Sequence, residues 1–391
     1  MPVSRRLADL MQGASWIRRM FEEGARLKAE HGADAVQDFS LGNPVLEPPP
    51  SVREALRAAL DDPAPGRHRY MPNAGFPEVR RAVAAFLSKD FGVPFAEERV
   101  LMCVGAGGGL NVVLKAILDP GDEVVALAPY FPEYRFYVDN HGGTMRPVPT
   151  GPGFLPDAAA VEAALTPRTA AVLVNSPNNP TGVAYGQSDL DALGEVLRRH
   201  RERTGRVVHL VSDEPYRRIL FDGRAAPSVF RASGAAILVT SHSKDLALPG
   251  ERIGVIAIGP ECPDGAALAA ACTFAQRTLG FVNAPALQQR AVATLQGASV
   301  DPEIYRRKRD FLCEALGRLG YEFERPGGAF YLFPRAPGGD DVAFVRRLLR
   351  ERVLVVPGSG FGTPGWFRLA YCVEDRDLER SLPGFERAIR G

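Results

Sequence analysis

Short apolar runs alternate with amphipathic segments along the middle of the chain. The runs are rich in β-branched residues and stop at hydroxyl, amide or carboxylate side chains, which predicts buried strands. They occupy residues 100–104, 123–128, 169–174, 206–211, 236–240 and 252–258. Segments of helical period lie between them, for example at residues 188–203. Strands that alternate with helices predict a mostly parallel, doubly wound α/β sheet.

The C-terminal part of the chain has a different pattern. A long basic helical segment runs from about residue 288 to 319, and short strands follow at 329–333, 353–356 and 367–370. This mixture predicts a second, smaller α/β domain. We divide the chain into three parts: residues 1–50 form an N-terminal arm and the first part of the small domain, 51–285 form the large domain, and 286–391 complete the small domain.

One lysine lies in a polar connection between two predicted strands. Residues 241–244 read Ser-His-Ser-Lys and end at Lys244, and Arg252 follows after a short loop. A lysine that forms a Schiff base must be desolvated and held near a carbonyl group, and this setting provides both. The serines and Arg252 can together bind a dianionic phosphate. On this segment alone, a solvated lysine in a polar loop is an equal alternative.

Other strand ends also carry polar or glycine-rich segments. Residues 105–109 follow a strand and open a helix, an arrangement that binds anions through bare N–H groups, although a close helix–sheet contact explains the glycines as well. Asp213 follows the strand at 206–211 and is best suited to pair with a cation, because no second ligand is spaced for a metal. Aromatic residues at 129–134 can stack on a flat ring or pack in the core.

Composition narrows the functional classes. The chain has 391 residues, a formal net charge of +1 and 46% hydrophobic residues, typical of a globular protein with a large core. We expect no binding to nucleic acid or to a membrane surface. The five cysteines are scattered and odd in number, which predicts buried thiols in a reducing compartment. No apolar stretch reaches membrane-spanning length, and we expect a cytoplasmic protein.

Seven motifs together resemble the class I and II aminotransferases, the fold-type I pyridoxal-phosphate (PLP) enzymes typified by aspartate aminotransferase. The motifs lie at residues 40–44, 70–75, 105–109, 178–182, 213–216, 241–254 and 367–370. The resemblance covers nearly the whole chain, in the order and spacing of the family. It implies an α/β fold with a mostly parallel seven-stranded sheet flanked by helices in the large domain, plus a smaller α/β domain.

The resemblance implies a set of roles around PLP. Lys244 would carry the cofactor as a Schiff base and later shuttle the substrate α-proton. Asp213 would keep the pyridine nitrogen protonated, and Tyr216 and Asn179 would donate hydrogen bonds to the 3′ oxygen of the ring. Phe131 would stack on the ring, with Tyr130 as the second candidate. The phosphate would be bound by the backbone of Ala106 and Gly107 and by the side chains of Ser241, Ser243 and Arg252.

The same resemblance implies the substrate clamp and the quaternary structure. Arg368 would bind the substrate α-carboxylate, helped by Asn179 and by the backbone at Gly42. Tyr70 would reach the phosphate of the neighbouring subunit in a homodimer. Arg277 is the nearest candidate for binding a side-chain carboxylate, and the weaker candidates are Arg18, Arg19 and Arg135. The chain departs from the aspartate-specific members at Phe131, where they have a tryptophan, so preference for dicarboxylates is an open question.

We therefore predict an aminotransferase that moves an α-amino group between an L-amino acid and a 2-oxo acid. A β-lyase acting on cysteine conjugates is the alternative on the same scaffold, because Lys244 and Asp213 serve both reactions. A ligand-sensing transcriptional regulator is the alternative from another class. It would need an additional N-terminal DNA-binding domain, for which the match from about Ser40 leaves no room.

Overall fold

The computed structural model describes residues 3–12 and 16–390. Its α-helices are α1 (Arg5–Gln12), α2 (Trp16–His31), α3 (Pro50–Asp61), α4 (Pro77–Phe91), α5 (Gly105–Ile117), α6 (Glu133–Asp139), α7 (Ala158–Ala164), α8 (Gln187–Thr204), α9 (Val229–Ala232), α10 (Gly265–Thr278), α11 (Ala286–Ala293), α12 (Pro302–Arg318), α13 (Asp341–Arg350) and α14 (Asp375–Arg390). Short 3-10 helices lie at Ala33–Ala35, Glu97–Arg99, Pro152–Phe154, Pro249–Glu251 and Gly358–Phe361.

The strands form one large sheet and two small ones. They are β1 (Gln37–Asp38), β2 (Val100–Cys103), β3 (Glu123–Ala128), β4 (Thr144–Pro149), β5 (Thr169–Asn175), β6 (His209–Asp213), β7 (Ala236–Ser241), β8 (Gly254–Ile258), β9 (Tyr331–Leu332), β10 (Val353–Leu354), β11 (Val356–Pro357) and β12 (Phe367–Ala370). The large sheet has seven strands in the order β2-β8-β7-β6-β5-β3-β4. Only β8 runs against its neighbours β2 and β7. The predicted fold class is therefore confirmed.

Two hydrophobic cores sandwich the large sheet. Side chains of α4, α7 and α8 pack on one face, with Leu193 fully buried, and side chains of α5, α6 and α10 pack on the other, with Val113 fully buried. Successive strand residues point to opposite faces, so that Val124 belongs to one core and Val125 to the other. Both faces are buried, which explains the unbroken apolar runs of the sequence.

Two predicted strands of the large sheet begin later than expected, and one strand was not predicted. The strand expected at 206–211 begins at His209, because Arg206 points its guanidinium at Asp122 and at the Thr169 carbonyl instead of entering the ladder. The strand expected from 252 begins at Gly254, because Arg252 has a left-handed backbone with φ of +52°. Strand β4 was not predicted, because it lies at the sheet edge, is mostly exposed and contains two prolines.

A third core joins the two ends of the chain. It contains Met20 and Phe39 together with side chains from 300–388. Strand β1 pairs in parallel with β10, and β11, β12 and β9 form a separate antiparallel sheet. The expected strand at 353–356 is thus two short strands, because the chain passes from one sheet to the other at Val355.

The segment expected as one helix over 288–319 is two helices. Helix α12 has its own start signal, since Asp301 caps it and Pro302 occupies its first turn. Helix α11 packs against α3 and α4 in the large-sheet body. The domain boundaries stay a prediction. Within residues 3–12 and 16–390, no helix is long and apolar enough to span a membrane.

Candidate active site

A cavity of about 360 Å³ opens where β5, β6 and β7 end. Ligands of open α/β sheets bind at these carboxyl ends. The predicted site residues that line it are Gly42, Ala106, Gly107, Phe131, Asn179, Asp213, Tyr216, Ser241, Ser243, Lys244, Arg252 and Arg368. Residues from nearly the full length of the chain therefore meet at one place.

Lys244 lies in the connection between β7 and β8. Its Nζ donates a hydrogen bond of 2.6 Å to the carbonyl oxygen of Gly42. Burial lowers the pKa of Lys244 to about 8, and the charges of Arg252 and Arg368 act in the same direction, against the opposing effect of Cys372. A large fraction of this amine is therefore neutral near pH 8, as a nucleophile or general base requires.

Asp213 is the last residue of β6 and is only 6% exposed. Its Oδ2 accepts a hydrogen bond of 2.5 Å from the Tyr134 hydroxyl. Its Oδ1 is buried and has no partner among the described residues. Burial raises the pKa of Asp213 to about 7, although the Tyr134 hydrogen bond opposes the shift. A cation or a ring N–H placed in the cavity would satisfy this carboxylate.

Asn175 fixes the neighbouring strand ends. Its Nδ2 donates to the Asp213 carbonyl oxygen at 2.8 Å, and its Oδ1 accepts from the backbone N–H of Asn179 at 2.7 Å. The loop that carries Asn179 is thereby attached to the strand that carries Asp213. Asn175 was not among the predicted site residues, although it opens the amide-rich loop that follows β5.

Arg368 is a buried cation in β12, with 2% of its surface exposed. It donates through Nη1 to Asn179 Oδ1 at 3.0 Å and through Nη2 to the Ser40 carbonyl, whereas its buried Nε has no described partner. The rings of Tyr331 and Phe361 lie 5.0 and 4.9 Å from its Cζ atom. No described carboxylate pairs with it, so an anion entering the cavity would find an uncompensated guanidinium.

The start of α5 forms a concave, positively polarised wall. Gly105 has φ of +67°, and a Cβ there would lie 2.7 Å from the Arg252 guanidinium. A Cβ on Gly107 would lie 2.9 Å from the Tyr137 hydroxyl. The glycines thus leave space beside bare N–H groups at a helix N-terminus, an arrangement that suits phosphate.

Two serines from the end of β7 face the same cavity. Ser241 donates through its hydroxyl to the Ser243 oxygen at 3.1 Å, and both side chains line the cavity. Arg252 lines it as well, and its Nη1 donates to the Pro249 carbonyl at 2.9 Å. A cation and two hydroxyls thereby supplement the N–H groups of α5.

The two aromatic candidates for ring stacking differ in position. Phe131 lines the cavity and meets Tyr134 edge to face, with ring centroids 5.6 Å apart. Tyr130 is not part of the cavity wall and packs against Gly362, where an added Cβ would approach its ring to 2.6 Å. The placement favours Phe131.

Several cavity residues were missed by sequence reasoning. Tyr331 lines the cavity and its hydroxyl lies 2.7 Å from that of Tyr216. Glu133 and Tyr137 also line it, and Tyr134 supports Asp213. Tyr134 lay in the aromatic segment at 129–134, which was a usable signal. Tyr331 gave no signal, because a tyrosine in a buried strand is indistinguishable from core packing.

Some predicted residues lie elsewhere. Tyr70 is 89% exposed and does not line the cavity of its own chain. Arg277 is exposed on α10 and lies over the Phe274 ring at 5.1 Å. Arg135 is exposed and lies over the Phe136 ring at 5.0 Å. The side chains of Arg18 and Arg19 lie outside the described residues.

Comparison with known proteins gives a consistent result. Residues 35–383 match the sequence model of the family Aminotransferase class I and II. A probable aspartate/prephenate aminotransferase of Thermus aquaticus is 38% identical over 368 residues, 92% of each chain. The aspartate/prephenate aminotransferase of Thermus thermophilus is 37% identical over 369 residues, again 92% of each.

Solved structures agree over the whole length. An aminotransferase from Eubacterium rectale superposes with a TM-score of 0.96 at 37% identity, covering 100% of this chain and 99% of the other. The aspartate aminotransferase from Thermus thermophilus with maleate superposes with a TM-score of 0.87 at 33% identity, covering 99% and 100%. The chain belongs to the class I and II aminotransferases and is a transaminase.

Proposed function

We propose that this chain binds PLP in the cavity and uses it to move an α-amino group from an L-amino acid to a 2-oxo acid. The observation that carries the proposal is that one cavity is lined by a buried amine of lowered pKa, Lys244, and by a buried carboxylate, Asp213, whose Oδ1 has no described partner. Members of this family use PLP, and the cavity wall offers a fitting partner for each of its polar groups. PLP, when bound, withdraws electrons from the substrate α-carbon and so acidifies its proton.

Three groups of residues would hold the cofactor. Lys244 would bind it covalently through Nζ, and Asp213 Oδ1 would accept the ring N–H. The phosphate would meet the N–H groups of Ala106 and Gly107 and the side chains of Ser241, Ser243 and Arg252. Phe131 would cover one ring face, while Asn179 and Tyr216 would donate to the 3′ oxygen. The glycine-lined space at α5 and the orphaned Asp213 oxygen support this fit.

Arg368 would bind the substrate carboxylate. The pair of guanidinium N–H groups forms a bidentate fork for a carboxylate, and Asn179 Oδ1 holds one end of that fork at 3.0 Å. The backbone at Gly42 lies beside Lys244 Nζ, at the point where the substrate would enter. Once the amine is free, Lys244 Nζ would remove the proton from the substrate α-carbon, since its lowered pKa leaves a large fraction of it neutral near pH 8.

The relatives do not favour the β-lyase alternative, because their names describe amino transfer. A transfer experiment separates the two reactions. With ¹⁵N-labelled L-amino donors and unlabelled 2-oxo acids, the proposal expects the label in the new amino acid and none in free ammonia. Lys244→Ala should transfer nothing, and Lys115→Ala on α5 is the matched control. Release of the label as ammonia, with pyruvate, would instead establish elimination.

We also propose a homodimer in which Tyr70 of one subunit reaches the phosphate bound by the other. Tyr70 is 89% exposed and does not line the cavity of its own chain, so its side chain is accessible to a neighbouring subunit. Co-expression of Tyr70→Ala with Lys244→Ala tests the proposal. Mixed dimers would contain one intact site and regain activity, whereas continued inactivity would refute a shared site.

We also propose that the protein is located in the cytoplasm. The cysteines of the chain, Cys103, Cys262, Cys272, Cys313 and Cys372, are all buried and unpaired. Unpaired buried thiols are typical of proteins from reducing compartments. Fractionation of the native host should find the protein with cytoplasmic markers, and recovery in a secreted fraction would contradict the proposal.

A further inference from the structure

Tyr331 has no role in the function proposed above, although it lines the cavity. It begins β9, where it is paired with Ala370 of β12, two residues beyond Arg368. It lines the cavity and is only 2% exposed. A buried phenol at such a position needs a partner for its hydroxyl.

That partner is Tyr216. The two hydroxyl oxygens are 2.7 Å apart, and the rings meet edge to face at 84° with centroids 5.5 Å apart. The Tyr331 hydroxyl also packs on Gly42, since a Cβ there would fall 2.0 Å from it. The carbonyl oxygen of the same Gly42 accepts the hydrogen bond from Lys244. The Tyr331 hydroxyl is therefore held in place from two sides.

Across the 2.7 Å contact only one of the two phenols can donate to the other. The Arg368 guanidinium lies over the Tyr331 ring, 5.0 Å from its centroid, and favours the ionised form of Tyr331. Burial raises the pKa of Tyr331 to about 12 and raises that of Tyr216 as well. Because the guanidinium lies over the ring of Tyr331, the Tyr331 hydroxyl is the better-placed donor. If Tyr331 donates to the Tyr216 oxygen, the Tyr216 hydroxyl can donate its own proton to another acceptor. Among the described residues, Tyr216 has no hydrogen-bond partner besides Tyr331.

We propose that Tyr331 is a positioning residue whose hydroxyl donates to the Tyr216 oxygen and so directs the Tyr216 proton to the 3′ oxygen of PLP. The inference rests on the proposed function. A hydrogen bond received by Tyr216 also makes Tyr216 a stronger donor, because hydrogen bonds in a chain polarise one another. Tyr331 should therefore help Tyr216 to stabilise the deprotonated form of the bound cofactor.

A spectrophotometric pH titration of the holoenzyme tests the inference. The midpoint at which the absorption band of bound PLP changes should rise by about half a pH unit in Tyr331→Phe, because one polarising hydrogen bond is lost. Tyr216→Phe should raise it more. The double variant should match Tyr216→Phe alone, because Tyr331 acts through Tyr216. The matched control is Tyr371→Phe, which removes a buried hydroxyl without a described partner and should leave the midpoint unchanged.

A second variant separates the ring of Tyr331 from its hydroxyl. Tyr331→Leu should move the midpoint as Tyr331→Phe does and should also raise KM for the amino acid, since Arg368 loses the ring beneath it. An unchanged midpoint in Tyr331→Phe would overturn the inference. So would a Tyr331→Phe shift of the same size in the wild-type protein and in the Tyr216→Phe variant. Absence of a PLP band in the wild-type protein would overturn the proposed function first.

Discussion

Tyr134 donates a hydrogen bond of 2.5 Å to Oδ2 of Asp213, while the buried Oδ1 of the same carboxylate has no described partner. The protein therefore keeps a carboxylate with one unpartnered oxygen in a buried position, where burial raises its pKa to about 7. Such an arrangement destabilises the empty protein and becomes useful only when a cationic ring fills the cavity.

Because the buried Asp213 carboxylate destabilises the empty protein, we expect the stability of the cofactor-free protein to depend on pH. The folded-state pKa of Asp213 is raised, from 3.8 to about 7, so its contribution to stability is present below pH 4 and is lost as the pH rises to about 7. Cofactor-free Asp213→Asn should exceed the wild type in free energy of unfolding at pH 8, by up to about 4 kcal/mol. The gap should close toward pH 4.

Denaturant unfolding at a series of pH values measures this difference. Asp61→Asn, at the exposed end of α3, is the matched control and should behave as the wild type. A stability gap for Asp213→Asn that stayed constant from pH 4 to 8 would show that the carboxylate is not the source. The same variant should lose transaminase activity, because an amide cannot hold the ring nitrogen in its protonated form.

The lowered pKa of Lys244 predicts how fast PLP is incorporated. Only the neutral amine attacks an aldehyde, and burial brings the pKa of Lys244 to about 8. The rate at which cofactor-free protein develops its visible absorption band should therefore rise with pH and level off with a midpoint near 8. Stopped-flow absorbance with excess PLP measures the rate. A rate still rising steeply at pH 10 would mean that the amine is not desolvated.

Arg368 should control substrate binding without affecting cofactor binding. Arg368→Lys keeps the charge and loses the bidentate fork, so kcat/KM should fall by about a hundredfold through KM, while PLP remains bound. Arg318→Ala on α12, where the arginine pairs with Glu314 at the surface, is the control. Steady-state kinetics measure KM and kcat, and the visible absorption band shows whether PLP is still bound. An unchanged KM would mean that Arg368 does not bind the substrate carboxylate.

Glu133 should discriminate against acidic substrates. It lines the cavity and has no described hydrogen-bond or ion-pair partner; burial raises its pKa, and nearby Arg135 opposes this only in part. Removing one negative charge from the cavity in Glu133→Gln should raise kcat/KM for L-aspartate relative to L-alanine by about three- to tenfold. Glu98→Gln, at an exposed position, is the control. An unchanged ratio would mean that the carboxylate does not face the substrate.

The fold was predictable where burial is complete. Strand β3 has its predicted bounds, because all its residues are buried and apolar except the first, Glu123. Strand β4 was not predictable, since an exposed edge strand needs no apolar run. The break between α11 and α12 was hidden by a continuous basic pattern, although Asp301 and Pro302 marked it.

The candidate site was predictable in part for a similar reason. Lys244 and Asp213 are polar residues at the ends of apolar strands, which is where ligands bind in open α/β sheets. Tyr134 and Tyr331 are buried tyrosines in apolar surroundings, and only their partners distinguish them from core residues. Those partners are 79 and 115 residues away in the sequence, and no local pattern records such a contact.

The most direct test of the account is to locate the lysine that binds PLP. The purified protein would be loaded with PLP, treated with borohydride to fix the bond, digested and examined by mass spectrometry. The lysines of the chain are Lys28, Lys89, Lys115, Lys244 and Lys308. We expect a single modified peptide, which contains Lys244, and we expect it to be absent when an L-amino donor is added before the borohydride. Modification at another lysine, or none at all, would contradict the account.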